Sequence, residues 1–143
     1  MTHLLGYTHD GKTIVAAPSR RAAAMLLNAP YEHVTERCDE SGLEIALEHP
    51  GAIVGAYEAG WRVITPAPAL PRARLSPAQE RTLSWLAKGW HAQRSGGSYT
   101  VNSTTLCKLE TLTSLGRLGL TFQDGEVYRA TALGELFYYH SNA

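Results

Sequence analysis

The residues that could do chemistry in this chain are scattered. The histidines stand at 3, 9, 33, 49, 91 and 140, with no two at the spacing that a helix or strand would turn into a shared site. His33 and Cys38 are the nearest pair of metal-ligand types, yet no second pair follows at zinc-ligand spacing, so no metal is expected. His9-Asp10 precedes Gly11, where an aspartate is explained by turn geometry alone. The run Arg94-Ser95-Gly96-Gly97-Ser98 has the glycines of a phosphate cradle but not the Lys-Ser/Thr ending or the preceding strand that a nucleotide loop needs. Arg20-Arg21 at a helix start reads as a solvated face. No catalytic triad and no carboxylate pair can be assembled, so the chain is expected to be non-enzymatic and to need no cofactor.

What remains is binding chemistry, concentrated in the second half. Up to Pro71 the basic residues Lys12, Arg20, Arg21, Arg37 and Arg62 face eight acidic ones, for a net charge of −3; from Arg72 onward the balance is +3. Such asymmetry points the second half toward an anionic partner. Overall, 44% of residues are hydrophobic and 18% charged, as in an ordinary globular chain. No apolar run approaches the ~20 residues of a membrane span, and the first residues do not read as a signal peptide. Cys38 and Cys107 are the two cysteines and make no disulfide framework, so a reducing cytoplasm is the expected compartment.

The elements that must position these groups follow from punctuation and period. Leu4–Thr8 and Thr13–Ala17 read as strands joined at Asp10-Gly11. Ser19 caps a helix from Arg20 to Leu27, and a second helix is expected from Tyr31 to Cys38. Leu43 to Glu48 fits strand or helix, with a short helix favoured, and Ala52–Tyr57 and Arg62–Thr65 form a second hairpin. Thr65-Pro66-Ala67-Pro68-Ala69-Leu70-Pro71 should run extended, because proline fixes φ and removes a donor. The expected layout is a small α+β domain over 1–65, a proline-rich linker over 66–74 and a second domain over 75–143, an α+β chain overall.

In the second domain Ser76-Pro77-Ala78-Gln79 opens a helix with a capping box. Leu83, Leu86, Ala87 and Trp90 form its buried stripe, a flexible polar loop covers His91 to Ser98, and Tyr99–Val101 reads as a short strand. Leucines at 106, 109, 112, 115 and 118 then predict helix from Ser103 onward. Three-residue spacing drifts about 60° per step on a helix, so one straight helix cannot bury them all. Whether 103–119 is one helix or two stays open; the simplest solution is a joint near Thr111. A hairpin at Asp124-Gly125 and a last helix from Thr131 complete the domain.

Thr111 to Leu120 followed by Asp124 to Gly134 resembles the recognition helix, wing and closing helix of small winged helix-turn-helix proteins. The run Ala17-Pro18-Ser19-Arg20-Arg21 through Leu27, with Glu48-His49-Pro50-Gly51, is similar to small uncharacterised phage and prophage proteins and implies a mobile-element origin. The winged-helix resemblance implies double-stranded DNA as partner and transcription regulation as outcome. Ser103, Thr104, Lys108, Thr113, Ser114 and Arg117 would then face the groove, with Arg81, Lys88 and Arg94 on phosphates. The rival expectation is a protein-binding module that engages or inhibits a host protein, with Trp61, Tyr138 and Tyr139 as contacts. A homodimer is compatible with either, and no membrane partner is expected.

Overall fold

A computed structural model of the chain describes residues 3–37 and 40–142. It is a mixed α+β protein that divides into two compact units, Met1–Ala69 and Leu70–Ala143.

The N-terminal unit opens with β1 (Leu5–Thr8) and β2 (Thr13–Ala17). Asp10 makes their turn: its Oδ1 accepts from the backbone of Lys12 at 2.8 Å and of Thr13 at 2.9 Å, while Gly11 takes φ +74°. Helix α1 (Arg20–Leu27) is capped by Ser19 and closed by Asn28 in the left-handed region. Strand β3 (Thr35–Glu36), helix α2 (Glu40–Glu48), β4 (Ile53–Tyr57) and β5 (Gly60–Thr65) follow. The antiparallel sheet has the order β3-β1-β2-β4-β5. Gly42 lets α2 approach it, since a Cβ there would lie 2.6 Å from Ile14 Cδ1 and 2.8 Å from the Trp61 ring.

One helix expected here does not form. Tyr31–His33 is a single 3-10 turn, and Thr35 and Glu36 instead pair with Thr8 and Tyr7 on the open edge of β1. Val34 is fully buried and Val34-Thr35 is β-branched, so the edge pairing and this burial outweigh a weak helical stripe. Cys38, the expected end of that helix, lies outside the described residues.

The C-terminal unit comprises α3 (Pro77–Ala87), β6 (Ala92–Ser95), β7 (Ser98–Val101), β8 (Thr104–Cys107), α4 (Leu109–Arg117), β9 (Thr121–Asp124), β10 (Val127–Ala130) and α5 (Ala132–Ser141). Its antiparallel sheet runs β8-β7-β6-β10-β9. The capping box of α3 is made in both directions, Ser76 N to Gln79 Oε1 at 2.9 Å and Gln79 N to Ser76 Oγ at 3.2 Å. Leu86, Ala92, Val101, Leu106, Leu112 and Ala130 form one core cluster; Leu83, Leu115 and Leu120 form another.

Two expectations are corrected in this unit. The polar run 91–98 is ordered as β6 and the tip of its hairpin with β7, Ser95 pairing with Ser98 around Gly96-Gly97. Helix does not begin at Ser103: Asn102 and Ser103 both take positive φ, 50° and 67°, and turn the chain into β8. The leucine spacing resolves accordingly. Leu106 is buried from a strand, Leu112 and Leu115 are buried from α4, and Leu109 is left exposed. Thr111 lies inside α4, so no helix-helix joint forms there.

Candidate functional site

Strand register brings several elements to one end of the C-terminal sheet. Val127 pairs with both Asp124 and Gln93, and Ser95 pairs with Ser98, so the β6–β7 and β9–β10 tips project side by side. Tyr99 pairs with Cys107, so β8 ends and α4 starts at that same end. The helix buries Leu112 and Leu115 and therefore presents Leu109, Glu110, Thr113, Gly116 and Arg117 outward. Between this face and the hairpin runs a groove of about 350 Å³, lined by Thr113, Gly116, Arg117, Phe122, Gln123 and Tyr128.

The electrostatics are mixed but not hostile to an anion. Asp124 Oδ2 is held by Arg129 Nε at 3.0 Å, which neutralises one of the two hairpin acids. The side chains of Lys108 and Arg117 are exposed and make no ion pair or hydrogen bond among the described residues. Lys108 occupies the N-cap position of α4, where its ammonium, a donor only, cannot cap the helix N–H groups.

Of the nine positions expected on DNA, Thr113 and Arg117 share the outward face of α4, Lys108 stands at its N-cap, and Arg94 is on β6, beside β10. The others are elsewhere. Ser114 turns inward, accepting from Gln79 Nε2 at 2.9 Å and donating to Thr111 O at 2.8 Å. Arg81 donates to the Leu106 carbonyl at 3.3 Å. Ser103 and Thr104 sit at the β7–β8 turn, the opposite end of the sheet, because Val101 pairs with Thr104 there. Lys88 ends α3, with Nζ 5.8 Å from the centre of the Trp85 ring.

Trp61, Tyr138 and Tyr139, the aromatic residues expected on a protein partner, are each partly buried. Trp61 packs against the Ile14, Ala16, Ala46 and Val54 cluster beneath Arg37. Tyr138 packs on the Leu83 and Leu120 cluster and accepts from Ser84 Oγ at 3.3 Å. Tyr139 meets His140 edge-on at 5.2 Å. Exposed apolar area lies elsewhere, at Leu109 and Phe122 beside the groove and at Trp85 and Trp90, which stack edge-to-face at 6.1 Å. The Asp124–Arg129 pair had a readable signal: on a hairpin turning at Gly125-Glu126 the two are diagonal neighbours.

Cys107 is the other chemically reactive type in this unit, and it is masked. Burial pushes its thiol up, outweighing the hydrogen bond with Thr82 and the charge of Arg81. Since the thiolate is the nucleophile, Cys107 in a Cys38→Ser variant is expected to react with a chromogenic disulfide reagent at neutral pH only after denaturant is added; rapid labelling of that native variant would contradict its burial. Among the described residues no group of His, Cys, Asp or Glu is placed to hold a metal ion, and no helix is long and apolar enough to cross a membrane. No protein-family model, curated protein or solved structure matches this chain.

Proposed function

We propose that the C-terminal unit binds double-stranded DNA, with α4 entering the major groove and the β9–β10 hairpin lying on the flanking backbone in the manner of a winged helix, as part of a regulatory protein of mobile-element origin. The observation that carries this reading is the pairing of an exposed helix face, bearing Thr113 and Arg117 with Lys108 at the helix start, with a hairpin directly after it in the chain. The strand order β6-β10-β9 supports it, since a third strand beside the hairpin is the expected companion of a wing. The departure from the pattern is the helix-turn-helix itself: β6, β7 and β8 stand between α3 and α4, so α4 has no preceding helix across a short turn. Thr113 is suited to a base edge or phosphate, Arg117 to guanine, and Lys108 to phosphate.

The test is fluorescence anisotropy of the full chain with a random-sequence duplex across a salt series. Binding at low salt that fades as salt rises is expected. Arg117→Ala and Lys108→Ala should each weaken it and lower the log–log salt slope by about 1. Wild-type affinity and slope in both variants would remove α4 from the interface.

Exposed Leu109 and Phe122, 46% and 36% accessible, favour a second reading, a groove for an apolar protein segment. That reading predicts no duplex binding at low salt and a complex with one host protein that survives moderate salt.

A further inference from the structure

The β6–β7 hairpin is a second projection beside the first, and the function proposed above uses β6 as a third strand but gives the hairpin tip no contact. Arg94 is two residues beyond Ala92, a core residue, and so lies on the helix-bearing face of the sheet. Its partner across the strands is Tyr99, which packs edge-to-face on Tyr128 at 5.4 Å. Tyr128 in turn lines the groove beside α4. The floor of that groove therefore continues across β10 and β6 to Arg94, one strand spacing of about 5 Å from the first hairpin. Lys108 follows Cys107, which pairs with Tyr99, and so borders the same floor from the β8 side.

The tip itself suits close approach to a backbone. Gly96 takes φ +64°, and a Cβ added at Gly96 or Gly97 would meet nothing within 4 Å, so the tip is slender and stands in open space. Arg94 is exposed, and among the described residues its side chain makes one long hydrogen bond, from Nε to Gly96 O at 3.4 Å, which leaves the terminal guanidinium nitrogens for an anion. Glu126 occupies the next register position beyond the Val127–Gln93 pair, and among the described residues it makes no ion pair with Arg94.

We propose that the β6–β7 hairpin is a second wing, with Arg94 as a phosphate-contacting residue that adds affinity without reading sequence. This rests on the DNA-binding reading of α4. One contributed phosphate contact implies a salt slope lower by about 0.9 in Arg94→Ala; with the electrostatic term vanishing near 1 M, that is about fivefold weaker binding at 0.15 M salt. The loss should be the same on duplexes of unrelated sequence, and Arg94→Lys should restore the slope.

The experiment is the salt series on the full chain for wild type, Arg94→Ala, Arg94→Lys and Arg117→Ala. A reduced slope in Arg94→Ala that the lysine variant restores supports the second wing. Wild-type slope and affinity in Arg94→Ala, with Arg117→Ala weakened, overturns it and leaves the α4 reading standing. Absence of duplex binding by the wild type at low salt overturns both.

Discussion

Gly134→Ala is expected to destabilise the C-terminal unit by about 3 kcal/mol, the upper part of the usual range for overpacking a close contact. The residue sits in the first turn of α5, where its N–H bonds the Thr131 hydroxyl at 2.9 Å. A Cβ there would overlap the carbonyl oxygen of Leu120 and lie 3.0 Å from its carbonyl carbon and 3.2 Å from its Cα. These are backbone atoms and cannot rotate away. Shifting them would also strain the bond from Thr131 N to Leu120 O, 3.0 Å, and move Leu120 out of a core in which it is fully buried. Alanine gains about 1 kcal/mol over glycine in helix propensity, too little to offset the clash. Against a total stability of about 5–15 kcal/mol for a domain, the larger Gly134→Val should leave this unit largely unfolded. Gly116 supplies the control: a Cβ there meets only Thr121 Oγ1 at 3.6 Å and its carbonyl at 3.7 Å, ordinary contacts. Gly116→Ala should therefore be neutral or slightly stabilising. Urea denaturation followed by circular dichroism compares the two, and equal midpoints would refute the close α5 packing.

What the chain made readable, it made readable locally. The Ser76-Pro77-Gln79 start of α3 and the Asp10-Gly11 turn formed where their residue types placed them, and the hairpin expected at Asp124-Gly125 turns one residue later, at Gly125-Glu126, because each is decided within a few positions. Strand β8 was hidden by a coincidence of spacing. Leu106, Leu109 and Leu112 mimic a helical stripe, while the turn that ends the mimicry, Asn102-Ser103, has serine where glycine would have advertised the positive φ. The Gly96-Gly97 tip between Ser95 and Ser98 was a legible hairpin signal concealed by the polarity of its strands. Strand β3 needed the edge of β1, about 28 positions earlier in the chain, and no local pattern announces such a pairing.

The same division runs through the candidate site. Thr113 and Arg117 follow from the helical period, because burying Leu112 and Leu115 turns the opposite face out. Ser114 and Arg81 did not follow, since Gln79 and the Leu106 carbonyl that engage them stand 35 and 25 residues away in sequence. Periodicity assigns a face; whether a polar group on its border is free depends on neighbours that only the fold supplies. That is why the cationic surface is smaller than composition suggested and why the function proposed rests on Lys108, Thr113 and Arg117.

Leu112→Ala should be the other large loss, about 3–4 kcal/mol, from lost burial and the cavity left behind. Leu112 has no exposed surface and packs among Leu86, Ala92, Val101, Leu106 and Ala130, the cluster that ties α3 and α4 to the sheet. Its carbonyl also accepts the Thr121 hydroxyl at 3.0 Å, which holds α4 against β9. Leu109, one turn earlier and 46% exposed, is the matched control: Leu109→Ala should change stability by less than about 0.5 kcal/mol. Urea midpoints of the two variants measure the partition of α4 into a buried and an outward face. If Leu109→Ala proved as costly as Leu112→Ala, the helix would be rotated from the orientation described, and Thr113 and Arg117 would no longer be presented together. The control also separates the two functions considered for the groove. Leu109→Ala leaves the cations untouched, so it should preserve duplex binding, whereas a partner held by the exposed leucine would be lost.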